Sequence, residues 1–111
     1  MSEDPVRKYL DAKSELDTVY AQIQRLQQVV GEVHSGLHRP FTFVVTNAGV
    51  NFPKEAEGAK LAALNANDWP SAREIAEVMA ALYQTYKNVE TYWKAIPEAD
   101  RRNITPPPGR R

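Results

Sequence analysis

Apolar side chains recur along the first third of the chain at alternating spacings of three and four residues. The alternation runs through four heptads, which is typical of a coiled-coil seam rather than of a merely amphipathic helix. Asp4 as N-cap and Pro5 at the first helical position predict the helix start, and Gly36 and Pro40 predict its end. We therefore predict a helix over residues 5–36, about 48 Å long. Its seam consists of Tyr9, Ala12, Leu16, Val19, Ile23, Leu26, Val30, Val33 and Leu37.

A second seam with the same period follows in residues 71–96. Ser71 and Glu74 have the spacing of a capping box, and Pro97 stops the pattern. Because two seams of equal period can pack at a shallow crossing angle of about 20°, the simplest arrangement is an antiparallel helical hairpin. The predicted fold is therefore mainly α, with two long heptad-patterned helices. The second seam consists of Ile75, Met79, Leu82, Tyr86, Val89, Trp93 and Ile96.

The segment between the two helices has a different composition. Residues 41–53 are rich in β-branched and aromatic side chains and contain no ionisable group. The run "FTFVV" predicts a strand, "TNAG" a turn at Gly49, and "VNF" a second short strand, so we expect a short β-hairpin-like insertion. After this insertion, a weak helical turn is expected around Leu61 and Leu64.

The chain changes character again after Pro97. The run "EADRRNI" allows one or two helical turns, which we predict over residues 98–103. The run "TPPPGRR" cannot continue as a helix, because proline lacks the amide hydrogen that a helix needs. Residues 106–111 are therefore predicted to form an extended, polyproline-like tail beyond a single helical domain of residues 1–105. Two interpretations stay open: a disordered end, or an arm that docks on a partner through its arginines.

Two helices alone leave apolar side chains uncovered beside their shared seam. The middle segment, a second copy of the chain or a different protein must cover them. Charges beside the first seam are too sparse to specify a paired zipper. We expect a homo-oligomer that also binds other proteins. The residues predicted to contact partners are Phe41, Phe43, Val45, Val50 and Phe52 in the insertion, Tyr20, Val29, Tyr83 and Tyr92 on the helices, and Arg110 and Arg111 in the tail.

Composition excludes several classes of function. Basic and acidic residues number 14 each, so the net charge is zero, which does not indicate a general polyanion binder. The chain has no cysteine, which excludes a disulfide framework, Cys-ligated zinc and thiol catalysis. The N-terminus has no apolar run of signal-peptide length, and no stretch approaches the length of a membrane span. We therefore expect a soluble intracellular protein.

Candidate chemistry is limited to one pair of histidines. His34 and His38 are four residues apart, which on a continuous helix places both imidazoles on one face, as metal ligation requires. Because Gly36 and Pro40 predict that the helix ends between or just after them, surface or interface histidines are the favoured interpretation. A metal-dependent enzyme is the disfavoured alternative. No motif predicts a catalytic residue, a cofactor or a small-molecule substrate, so the expected function is non-enzymatic.

The stretch "DWPSAREIAEVMAALYQTYKNVETYWKAIPEADRRNITPPP" resembles the C-terminal part of small proteins encoded in tailed-phage and prophage genomes. The resemblance covers residues 68–108 and supplies no catalytic residues. It implies a minor structural or assembly component at a capsid, connector or tail, with other phage proteins as partners, in the bacterial host cytoplasm or the virion. The features that carry it are Trp69-Pro70-Ser71 at a helix start, Tyr92-Trp93, Ile96-Pro97, Arg101 and the proline-rich end.

The competing interpretation is a nucleic-acid-binding packaging or regulatory factor, similar to a small terminase subunit. In such a protein, a helical oligomer would present its basic C-terminus to DNA. The neutral net charge and the lack of a recognisable helix-turn-helix disfavour this alternative.

Overall fold

The computed structural model of the protein describes residues 4–52 and 62–109. It is mainly helical, with two long helices and a small two-stranded parallel sheet, which confirms the prediction of a mainly α fold with two long helices. Short 3-10 turns flank the sheet. The elements in chain order are helix α1 (Pro5–His38), the turn Pro40–Thr42, strand β1 (Phe43–Thr46), strand β2 (Ala62–Asn65), the turn Ala66–Asp68, helix α2 (Ala72–Ala95) and the short helix α3 (Glu98–Arg101).

Both long helices begin with the caps that the sequence predicts. The Asp4 carboxylate accepts the backbone N–H of Val6 at 3.0 Å, and the Ser71 hydroxyl accepts the backbone N–H of Glu74 at 3.1 Å. Each cap satisfies an amide in the first turn that has no partner inside the helix. Helix α1 does not end at Gly36, as we predicted, but continues to His38.

The C-terminal end of α2 is held by one arginine. Arg101 donates through Nε to the backbone oxygen of Ile96 at 2.9 Å and through a terminal nitrogen to that of Lys94 at 3.1 Å. Its guanidinium also lies 5.6 Å from the centre of the Trp93 ring. These contacts satisfy carbonyl groups that the end of a helix leaves without partners. Arg101 is one of the residues on which the resemblance to phage-encoded proteins rests, and in this structure it binds groups of its own chain.

The chain forms two compact units, and the first comprises Met1–Gln22 and Ala76–Arg111. The centres of the Tyr9 and Trp93 rings are 5.1 Å apart. The N-terminal part of α1 therefore packs against the C-terminal part of α2. The buried cluster of this unit consists of Tyr9, Ala12, Leu16, Tyr86, Val89 and Ile96.

The segment after α3 packs on this first unit. Ile104 lies against the buried cluster, the Tyr9 hydroxyl donates to the backbone oxygen of Thr105 at 2.7 Å, and the Tyr86 hydroxyl donates to that of Pro108. Burial raises the pKa of Tyr9 above its ordinary value of 10.0, so its hydroxyl stays protonated as a donor. Neither interpretation of the tail foresaw these contacts with its own helices. The last two arginines lie outside the described residues.

The second unit comprises Ile23–Ile75 and contains the sheet. Strand β1 pairs in parallel with β2, so that Val45 lies opposite Leu64. The predicted β-hairpin is therefore wrong: a strand does form where "FTFVV" predicts one, but residues 50–52 form no return strand. The helical turn expected around Leu64 is also wrong, because this residue lies in β2. Leu61 lies outside the described residues.

Side chains at the end of β1 contact the end of β2. Asn47 and Gly49 both have positive φ angles, of 60° and 76°. The Asn47 side-chain amide donates to the side-chain oxygen of Asn65 at 3.1 Å, and the Thr46 hydroxyl donates to the Leu64 backbone at 3.3 Å. These contacts join the end of β1 to the end of β2, as expected of two parallel strands in this register.

A glycine allows β1 to approach α1 within the second unit. A Cβ atom at Gly36 would lie 2.8 Å from Cδ2 of Phe43 and closer still to the adjoining ring atoms. No side chain larger than hydrogen fits between the helix and this ring. The conformation of Gly36 is helical, so its role is to provide space, and it does not stop the helix as we predicted.

Candidate protein-interaction surface

One heptad position of α1 changes from buried to exposed along the helix. Tyr9, Leu16, Ile23, Val30 and Leu37 are spaced seven residues apart, so they follow one side of α1. The first two are 0% exposed, Ile23 is half-buried, Val30 is 45% exposed and Leu37 is 66% exposed. The heptad pattern therefore continues along the whole helix, but only the residues in its first half are fully buried within a single chain.

The second position of the seam shows the same trend. Ala12 and Val19, in the first unit, are 5% and 6% exposed. Leu26 and Val33, in the second unit, are only half-buried. We call the latter half of the seam the exposed seam segment; it consists of Ile23, Leu26, Val30, Val33 and Leu37.

The insertion adds exposed apolar groups to the second unit. Phe41 is 92% exposed, Val50 is 68% exposed and Phe52 is 40% exposed. Phe43 and Val45 are half-buried, and the ring of Phe43 packs on Gly36. These two residues therefore contribute to the packing of their own unit.

The helix residues predicted to contact partners fall into two groups. Tyr20 and Tyr92 are half-buried and pack against the buried cluster of the first unit, and the Lys8 ammonium lies 5.9 Å from the centre of the Tyr92 ring. Tyr83, by contrast, is 69% exposed. Val29 is half-buried in the second unit. Arg110 and Arg111 lie outside the described residues.

Sequence reasoning missed four exposed apolar residues of the second unit as contact residues. Val30 and Leu37 belong to the first predicted seam and Ile75 to the second, while Trp69 belongs to a predicted helix start. Trp69 and Ile75 are 46% and 39% exposed. A signal was available in the two seams themselves. The first seam has nine positions and the second has seven, so α2 has fewer seam residues than α1.

The described residues offer little evidence for other kinds of site. In residues 4–52 and 62–109, no group of three or more His, Cys, Asp or Glu side chains is placed to hold a metal ion. None of the helices in that part of the chain combines the length and apolarity needed to cross a membrane. His34 and His38 do lie together on α1, with ring centres 4.6 Å apart. The prominent surface feature is therefore the exposed apolar set of the second unit.

Comparisons of the chain with protein-family models, with curated protein sequences and with solved structures find no match in any of the three. The resemblance of residues 68–108 to phage-encoded proteins therefore stays a prediction.

Proposed function

We propose that the protein is a non-enzymatic, self-associating protein, and that the exposed seam segment packs against the same segment of a second copy. One observation carries the proposal: Val30 and Leu37 are 45% and 66% exposed, while Tyr9 and Leu16 at the same heptad position are fully buried. Apolar seam residues that stay exposed in the single chain form a surface that association would remove from water.

The heptad pattern favours a second copy as the occupant. A heptad seam is complementary to another heptad seam, and a two-fold contact presents the same residues from both sides. The positions beside the seam hold Gln27 and His34, so no row of like charges opposes self-pairing. Burying a leucine such as Leu37 completely is worth about 1.5–3 kcal/mol relative to full exposure, and several seam residues contribute together.

Within each chain, we propose that α1 and α2 form an antiparallel helical hairpin with coiled-coil-like packing. Contacts in the first unit support this arrangement. Tyr9, near the start of α1, packs on Trp93, near the end of α2, and Tyr20 and Leu82, further from those ends, both pack on the same buried cluster. A contact between the start of one helix and the end of the other is the one expected when two adjacent helices run in opposite directions.

The insertion is proposed to bind other proteins. Phe41 and Val50 are among the most exposed apolar side chains of the described residues, and the two-stranded sheet beside them has an outer edge on each strand. Outer strand edges carry backbone groups that can pair with an added strand. Neither β1 nor β2 contains a charged residue that would oppose such pairing.

The resemblance of residues 68–108 extends the proposal to a minor structural or assembly component of a tailed phage. Self-association and apolar contact surfaces suit a protein that joins copies in a capsid, connector or tail. If this extension is right, mass spectrometry of purified particles from the source phage will detect the chain. Its consistent absence both from particles and from assembly intermediates would contradict the extension and leave the self-association proposal intact.

Self-association is tested by the mass of the purified protein in solution. We expect multi-angle light scattering to give a mass above that of one 12.5 kDa chain, rising with concentration through the micromolar range. A mass of one chain up to the high micromolar range would contradict the proposal.

A further inference from the structure

Helix α1 continues through both histidines. His34 and His38 each lie in Pro5–His38, so their separation of four residues brings the two side chains onto adjacent turns of one face. A helix end between the two histidines would have separated their side chains, and the structure places both inside the helix.

We infer that His34 and His38 form a two-imidazole chelating site for a divalent transition-metal ion on the surface of α1. Neither histidine belongs to the exposed seam segment, although His34 lies beside it, and the inference does not rest on self-association. Imidazole nitrogen binds first-row divalent ions with affinities that are highest for Cu²⁺.

The separation of the two rings fits a shared metal ion. With a metal–nitrogen distance of about 2.1 Å, each ring centre lies about 3.2 Å from the metal, and two such ligands at a right angle have centres about 4.5 Å apart. The centres of the His34 and His38 rings are 4.6 Å apart, with an angle of 56° between the ring planes. The separation of the ring centres therefore fits one shared ion, and rotation about the side-chain bonds of the two residues directs their nitrogen lone pairs towards it.

A backbone hydrogen bond orients one of the two ligands. Nδ1 of His38 lies 3.0 Å from the backbone oxygen of His34. In the tautomer that donates this bond, Nδ1 carries the proton and the lone pair of Nε2 is left for a metal. Histidine ligands in proteins are commonly fixed by such a bond from their second nitrogen.

The surroundings leave room for a hydrated ion. Both histidines are exposed. Gly31 lies on the same face, three residues before His34, and a Cβ atom there would have no neighbour within 4 Å. Because the described residues supply no third ligand beside this pair, water molecules complete the coordination of the bound ion.

The test is calorimetric titration of the full-length protein with Cu²⁺, alongside the double variant His38→Arg/Arg39→His. The exchange preserves composition and charge but moves the second imidazole to a spacing of five residues, beyond the end of α1. We expect one Cu²⁺ per wild-type chain, with nitrogen hyperfine structure in the electron paramagnetic resonance spectrum. Because two ligands on one rigid element bind far more tightly than one, the exchange should weaken binding about a hundredfold.

A second variant separates this inference from the proposed function. Val30→Ser/Leu37→Ser weakens the exposed seam segment without adding a carboxylate beside His34 and His38, and it should retain one Cu²⁺ per chain with an unchanged affinity. The inference is overturned if wild type and the His38→Arg/Arg39→His variant bind Cu²⁺ equally tightly, or if neither binds it with nitrogen ligands. Either result would leave the mass of the metal-free protein, and so the proposed function, unaffected.

Discussion

Leu16→Ala is expected to lower the free energy of unfolding by about 2–5 kcal/mol, whereas Leu37→Ala is expected to lower it by less than about 1 kcal/mol in the single chain. Both residues occupy the same heptad position, three heptads apart. Leu16 is fully buried and Leu37 is 66% exposed, so only the first substitution creates a cavity in a formed core. Urea unfolding followed by circular dichroism, at a concentration where the protein is monomeric, measures both effects.

The same pair separates a contact within the chain from a contact between copies. At high protein concentration, Leu37→Ala should destabilise the protein by more than it does at low concentration, because the substitution then also weakens association. The destabilisation by Leu16→Ala should depend much less on concentration. Equal losses for the two variants at low concentration would show that the second half of the seam is buried within the single chain.

Gly36→Ala and Gly31→Ala are expected to change stability in opposite directions. Alanine at Gly31 meets nothing within 4 Å, so its better helix propensity should stabilise the protein by up to about 1 kcal/mol. Alanine at Gly36 overlaps the ring of Phe43. Overpacking of this kind costs about 1–3 kcal/mol, which exceeds the gain in propensity, so a net loss of up to about 2 kcal/mol is expected. Thermal unfolding of the two variants measures the difference.

A double variant identifies the cause of the Gly36→Ala effect. If the overlap with Phe43 is responsible, Gly36→Ala should be much better tolerated in a Phe43→Ala background, and the two substitutions should be non-additive. Additive losses, or a stabilising effect of Gly36→Ala in the wild-type background, would contradict the close packing of β1 on α1.

Periodicity and capping residues were sufficient to predict the helices. The start of α1 follows from Asp4 and Pro5, and the start of α2 from Ser71, because each local signal has a local physical cause. The end of α1 could not be predicted in this way. A glycine near the end of a helical pattern is ambiguous, since it either stops the helix or makes room for a neighbour, and that neighbour is Phe43, seven residues later.

The parallel sheet was also hard to predict, because the strand that pairs with β1 is distant in the sequence. A strand followed by "TNAG" favours a tight hairpin when only neighbouring residues are considered. The observed partner of β1 is Ala62–Asn65, which is distant in the sequence, and Asn47 and Thr46 form hydrogen bonds with the end of this strand. The apolar content of the insertion did indicate an exposed surface. It could not indicate that Phe43 packs on Gly36 of its own chain, because that contact depends on tertiary packing.

The central claim is that a second copy covers the exposed seam segment. The most direct test compares the masses of three proteins by light scattering, all at the same concentration in the micromolar range. The proteins are wild type, Val30→Glu/Leu37→Glu, and the control Gln28→Glu/Ser35→Glu, which adds the same two charges to exposed positions on the other side of α1. We predict a multiple of 12.5 kDa for wild type and the control, and the mass of one folded chain for the seam variant. A monomeric wild type, or a seam variant that associates as strongly as wild type, would contradict the claim.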